Sequence, residues 1–154
     1  MKKILPFLFL MFFATAIHAQ SADVVTEIIE TERVTFGQIC YLSAVQQGFV
    51  SDDATYEEAI DVLFDKGQIP RKEYSDAKIP MANLAFIFSQ MWEIKGGLFY
   101  RIFHGAPRYA FKQLKADGIL PANSNPTRIP TGKEALNIYT SCCLKYGAME
   151  LSVE

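Results

Sequence analysis

Lys78-Ile79-Pro80-Met81-Ala82-Asn83-Leu84-Ala85-Phe86 returns fifty residues later as Arg128-Ile129-Pro130-Thr131-Gly132-Lys133-Glu134-Ala135-Leu136. Upstream, Phe64-Asp65-Lys66-Gly67-Gln68-Ile69-Pro70 resembles Lys115-Ala116-Asp117-Gly118-Ile119-Leu120-Pro121 at a separation of fifty-one. A weaker third copy, Arg33-Val34-Thr35-Phe36-Gly37-Gln38-Ile39-Cys40-Tyr41, precedes the Lys78 segment by forty-five. Self-similarity at nearly one period marks a chain built from repeated supersecondary units, each too small to bury its apolar face alone.

Working outward, each full copy reads as two helices. Met81, Leu84, Ala85, Phe88, Met91 and Trp92 fall on one helical face, as do Ala135, Leu136, Tyr139, Cys142, Cys143 and Tyr146. Shorter helices precede them near Tyr56–Lys66, with a stripe of Ala59, Ile60, Leu63 and Phe64, and near Pro107–Ala116, with Ala110, Phe111 and Leu114. Thr35 with Gln38, Thr55 with Glu58 and Thr131 with Glu134 have capping-box spacing. Pro80 and Pro107 suit a first turn, which needs no amide donor. Gly48, Gly67, Gly96, Gly118 and Gly147 each follow a proposed helix. Residues 122–127 form a polar loop, while Val24, Val25, Ile28 and Ile29 fit either a strand or a helical turn. The expectation is an all-α fold of repeated helix-turn-helix units. A lead segment occupies residues 20–32, the repeat domain 33–147 and a tail 148–154. Tyr41, Trp92 and Tyr139 are expected to pack in the core.

The first residues have a different character. Lys2 and Lys3 precede an apolar run over 4–13, followed by Ala14, Ala16 and Ala19. This is the layout of a signal peptide over 1–19, cut after Ile17-His18-Ala19. The run is shorter than the roughly 20 residues a membrane span requires, and no later stretch is long enough, so no transmembrane helix is expected in the mature chain. The full chain has 154 residues, half of them hydrophobic, with 15 Lys+Arg against 17 Asp+Glu. Without the leader it keeps 13 basic side chains, and His104 is the only histidine. Such a mildly acidic exported protein, found in the periplasm or on the cell surface, is poorly suited to nucleic acid, and zinc sites built on several histidines are excluded. No cofactor motif is present.

Export makes a disulfide feasible for Cys40, Cys142 and Cys143. Adjacency strains a Cys142–Cys143 bond, so Cys40 with Cys142 or Cys143 is the favoured pairing. Three small buried hydrophobes are the alternative.

The unit of short helix, Gly-hydrophobic turn, polar loop and Ile-led second helix resembles the S-layer homology (SLH) domain. That family carries Ala-x-x-x-Leu-x-x-x-Gly-Ile-Ile, then Ile-Thr-Arg-Ala-Glu-Phe-Ala. Ala110, Leu114, Gly118, Ile119 and Leu120 stand in the first stretch, as do Ala59, Leu63, Gly67 and Ile69. Ile129 with Ala135, and Ile79 with Ala85, stand in the second. The resemblance spans about residues 33–146 and implies a helical envelope module that binds cell-wall polymer. The family's Thr-Arg-Ala-Glu is replaced by Pro80-Met81-Ala82-Asn83 and Pro130-Thr131-Gly132-Lys133, so its polymer-binding Arg is missing.

Candidate chemistry concentrates in residues 95–112. Lys95, Tyr100, Arg101, His104, Arg108 and Tyr109 combine cations, which bind carboxylates and phosphates, with aromatic faces that stack on sugars. Together they could read an anionic glycan. The aromatics also suit a core between copies, which is the favoured reading of Phe103 and Phe111, with the charges facing water. No nucleophile motif occurs, and no catalytic or metal-binding residue is singled out. Glu57, Glu58 and Asp61 suit a helix N-terminus, and Asp52 and Asp53 suit a turn. The expected function is non-catalytic binding or scaffolding in the envelope, toward a cell-wall glycan or an envelope protein. The alternatives are a subunit of a periplasmic or outer-membrane-associated assembly and a Cys/His-dependent enzyme using His104.

Overall fold

A computed structural model describes residues 22–97 and 106–147. The leader over 1–19, Tyr100, Arg101, His104 and the tail over 148–154 lie outside the described residues. Those that are described form an all-helical fold without a sheet. Helix α1 covers 22–30. It is followed by α2 (Phe36–Gln46), α3 (Tyr56–Asp65), α4 (Met81–Met91), α5 (Pro107–Ala116) and α6 (Gly132–Cys142), which runs into a π-helical turn at Cys143–Gly147.

Local chemistry sets these boundaries. Thr35, Thr55 and Thr131 each accept a hydrogen bond from the amide three residues on, and Gln38, Glu58 and Glu134 bond back to the cap amides. Pro107 opens α5 at its first turn, whereas Pro80 is the N-cap of α4. Gly48, Gly67 and Gly118 end α2, α3 and α5 with φ of 67°, 71° and 76°, a left-handed conformation that costs glycine little. Gly96 does not end α4: the left-handed residue there is Glu93, with φ 43°. Ile94 donates to Ser89 O at 3.0 Å and is itself buried, and its return to the core fixes the turn before the glycine arrives. Gly147 is not left-handed either. It closes the π-helical turn, which brings Tyr146 into the core with its hydroxyl donating to Asp117.

Two hairpins, α2–α3 and α4–α5, pack together through α2 and α4, and α6 lies against α4. Leu84 to Ser89 are all buried, so α4 is apolar all round as a central helix must be. Phe88, Trp92 and Tyr139 form the α4–α6 seam, with ring centroids 5.5–6.0 Å apart in edge and tilted arrangements that suit ring quadrupoles. The expected stripes face the core, with Trp92, Leu136, Tyr139 and Cys143 half-buried at its edge and Phe64 exposed. Its ring is 40 % exposed, and the Lys72 ammonium stands over it at 5.1 Å.

The three matched stretches meet. Val34, Ile79 and Pro130 each immediately precede an N-cap and are fully buried. Ile79 N–H donates to Val34 O at 3.2 Å and Val34 N–H to Pro130 O at 3.0 Å. Pro130 has no amide hydrogen to continue the circuit. One residue into each helix the circuit closes: Phe36 N–H donates to Ala77 O (2.7 Å), Met81 N–H to Arg128 O (2.8 Å) and Gly132 N–H to Thr31 O (2.8 Å). Amides left orphaned at helix starts are thus satisfied by the segment leading into another of these three helices. The caps align Ile79 with Pro130 and Pro80 with Thr131. The separation is fifty-one, as for Gly67 and Gly118, so the text match at fifty is one residue out of register. Ile129 is only partly buried, because Pro130 takes the place that Ile79 fills.

Candidate functional site

The hub of helix starts leaves clefts on its outside. One of these, of about 250 Å³, lies between the start of α4, the turn after α5 and the side of α6. Its floor is Met81, Ile119, Leu120, Pro121 and Ile138; its rim is Ser124, Arg128, Glu134, Asn137 and Ser141. Glu134, Ile138 and Ser141 recur at helical spacing along α6, with Asn137 beside them, so one helix supplies much of the rim. The turn residues Ile119 and Leu120 are fixed by amides that both return to Leu114 O, at 2.9 and 3.1 Å.

A bidentate pair dominates the electrostatics. The two terminal nitrogens of Arg128 donate to the two Glu134 oxygens, each at 2.8 Å. Glu134 Oε2 also accepts from Thr131 N–H at 2.9 Å. The guanidinium holds the Glu134 carboxyl below the ordinary glutamate range, and the carboxylate raises Arg128 in turn. Both side chains are nearly half exposed, so the pair contributes order and direction rather than much stability.

At the equivalent place beside α4, Ile69, Pro70, Asn83, Phe86 and Ile87 correspond to Leu120, Pro121, Glu134, Asn137 and Ile138, and Phe36 corresponds to Met81. That cleft holds only about 40 Å³. Phe86, 7 % exposed, stands where Asn137 leaves room. The third equivalent place, beside α2, is closed. Tyr41 and Gln38 are buried there, and a Cβ on Gly132 would lie 1.5 Å from Ile28 O. Of these three places, as the described residues form them, the one beside α6 is roomier than the one beside α4.

The expected patch fares differently. Tyr100, Arg101 and His104 are outside the described residues. Lys95 is exposed just beyond α4, Arg108 is exposed on the first turn of α5, and Tyr109 is half-buried with the Lys112 ammonium 5.7 Å from its ring centre. None of these three lines the open cleft. Phe111 is core, 5 % exposed. Tyr41 is buried, its hydroxyl donating to Asp52 O at 2.7 Å, while Trp92 and Tyr139 are half-buried.

All three cysteines are free thiols, so the expected bridge from Cys40 is not formed. Cys40 and Cys142 are buried among apolar side chains. Burial pushes the Cys40 thiol up, and pushes Cys142 up to about 12. Protonated thiols of this kind are poor nucleophiles. The carboxylates near α3 serve structure: Glu57 accepts from Ser75 Oγ, Glu58 caps Thr55, and Asp61 pairs with Lys72 at 2.7 Å. Among the described residues no three His, Cys, Asp or Glu side chains group as metal ligands.

Sequence reading placed Arg128 and Glu134 in the repeat motif and missed their cleft, because neither carries a chemical signature until the turn at Ile119–Pro121 is folded against them. The polar spacing of Glu134, Asn137 and Ser141 was the available signal. No protein-family model and no curated protein matches this chain. Among the described residues no helix is long and apolar enough to cross a membrane.

Proposed function

We propose that the protein is an exported, non-catalytic binding module of the cell envelope, SLH-like in build, that receives its ligand in the open cleft beside α6. The carrying observation is the contrast among three equivalent places: Phe86 narrows one to about 40 Å³, the Ile28 backbone crowds another at Gly132, and one of about 250 Å³ is left with a polar rim over an apolar floor. That mixture is the ordinary make-up of a ligand site. The leader-like first residues and the resemblance over about 33–146 support the location and family reading. In the corrected register Thr131 and Glu134 coincide with the Thr and Glu of the family's motif. Its Arg position falls on Phe36, Met81 and Gly132, which are buried, so recognition here must differ.

The test is capture of the purified protein by isolated envelopes, before and after muramidase digestion. Asn137→Phe places in the open cleft the ring that plugs its neighbour. The expected result is capture that muramidase reduces and Asn137→Phe abolishes, with thermal unfolding unchanged. Capture indifferent to Asn137→Phe rules the cleft out. A second reading, a subunit of an envelope assembly, is favoured by the exposure of Tyr74 (83 %) and Leu144 (74 %). It predicts capture by an envelope protein that survives muramidase.

A further inference from the structure

Resting on that reading, we propose that the open cleft binds one uncharged, hydroxyl-rich ring, a neutral sugar unit or cyclic polyol, and discriminates against anionic sugars. Among the described residues the cleft's one cation, Arg128, is already paired. Each terminal nitrogen of Arg128 commits one N–H to Glu134 at 2.8 Å; three of the five guanidinium donors remain, but an incoming carboxylate or phosphate that reaches them meets a cation whose charge is already matched by a bound carboxylate. Displacing Glu134 also removes the acceptor of Thr131 N–H at 2.9 Å, the return half of the capping box that opens α6. A ligand anion would thus either approach the bound carboxylate to reach the remaining donors or displace it and lose those contacts.

What remains on the rim is uncharged. Asn137 offers an amide and Ser124 a hydroxyl, groups that both donate and accept as a ring bearing several hydroxyls requires, while Ser141, whose hydroxyl donates to Asn137 O at 2.8 Å, adds an acceptor. Below them Met81, Ile119, Leu120 and Ile138 supply aliphatic surface for the C–H face of such a ring. The volume of about 250 Å³ suits one ring, not an extended chain. In the neighbouring cleft Asn83 and Phe86 stand where Glu134 and Asn137 do, so both the carboxylate and the opening are particular to this copy.

The experiment is amide-resolved NMR titration with methyl glycosides of glucose, galactose, mannose and N-acetylglucosamine, and with the uronates of the first three, to about 50 mM, well above the millimolar affinity that single-ring ligands give. At least one neutral glycoside is expected to shift the amides of Ile119, Asn137 and Ser141, with an affinity that salt leaves unchanged. Its uronate should bind at least tenfold more weakly. Asn137→Phe should abolish the shifts. Glu134→Gln, which frees the guanidinium, should bring uronate binding to within threefold of the neutral glycoside. Envelope fragments released by muramidase distinguish a polymer-borne ring from a free one by competing for the same amides. A uronate that binds the native protein more tightly than its neutral partner overturns the proposal. So does the absence of any glycoside shift while envelope capture still depends on Asn137, which leaves the cleft as a site for another ligand. Capture and titration both indifferent to Asn137→Phe remove the cleft reading together with this inference.

Discussion

At the residue scale the tightest constraint is Gly132. A Cβ there would stand 1.5 Å from Ile28 O and 2.6 Å from its carbonyl carbon, and backbone cannot swing aside as a side chain can. Gly132→Ala is expected to cost about 3 kcal/mol or more, the upper range for overpacking, measured by urea unfolding. Gly37→Ala is expected to cost less: its three close contacts, all 2.9 Å, include two side-chain Cβ atoms. Glu93 is the opposite case. It is exposed and holds φ 43°, so Glu93→Gly should stabilise by about 1 kcal/mol by relieving the left-handed penalty; an unchanged midpoint would show the turn is unstrained. The Glu134 carboxyl, lowered first by Arg128, contributes stability that is present above the ordinary glutamate value of about 4.3 and is lost as pH falls through the lowered folded value. Glu57, lowered by the Ser75 hydroxyl, works in the same sense. Glu134→Gln should therefore flatten the acid limb of the stability curve only in part, and stability at pH 7 should fall by less than about 1 kcal/mol because the pair is half exposed.

At the scale of elements, helix starts were the most legible feature because capping is local. Thr35, Thr55 and Thr131 each act within four residues, and all three boxes are formed. Thr55→Ala and Thr131→Ala should each cost about 1 kcal/mol, with a larger effect at Thr131, whose helix start also bonds Thr31 O and lines the cleft. Legibility failed where a distant residue decided. Gly96 is a plausible terminator by sequence, but Ile94 is drawn into the core first. Phe64 matches the stripe of α3, yet that helix is exposed on the side where Lys72 covers it. The repeat register was misread by one residue because Ile-Pro occurs in both copies. Burial, which puts Pro130 where Ile79 sits, follows the caps and not the letters. The cleft was illegible for the same reason: its two sides come from the turn after α5 and from α6, and what keeps it open is the absence of a Phe86 equivalent. Thiol chemistry also belongs here. Cys142 and Cys143 are adjacent at the end of α6, and successive helical side chains point about 100° apart. Native alkylation should therefore label Cys143 alone, with Cys40 and Cys142 reacting only on unfolding, as counted by intact mass; two or three labels on the native protein would mean that the core opens around α2 or α6.

At the scale of the molecule, the circuit of helix-start amides makes the segment before α2 and the start of α6 neighbours although Thr31 and Gly132 are far apart in sequence. An open row of repeats unfolds copy by copy with energetics set by adjacent pairs, whereas a closed circuit has no free end at which to begin. Helix α1 is then not an appendage. Ile28 is fully buried, Thr31 O accepts from Gly132, and Gln38 Nε2 reaches back to Thr31 Oγ1 at 3.0 Å, with Tyr56 bonding Glu27 at 3.0 Å. Three elements, α1, α2 and α3, thereby share one polar network while α1 and α6 share a backbone contact. Ile28→Ala should cost about 2–4 kcal/mol, as a buried aliphatic truncation does. The loss should be felt far from α1, at Trp92 on the α4–α6 seam. Urea transitions followed by Trp92 fluorescence and by helical circular dichroism should coincide in the native protein and shift together in Ile28→Ala. If the Trp92 transition stays in place while part of the helical signal melts early, α1 is a separately folding piece, and the copies stand in a row with two open ends.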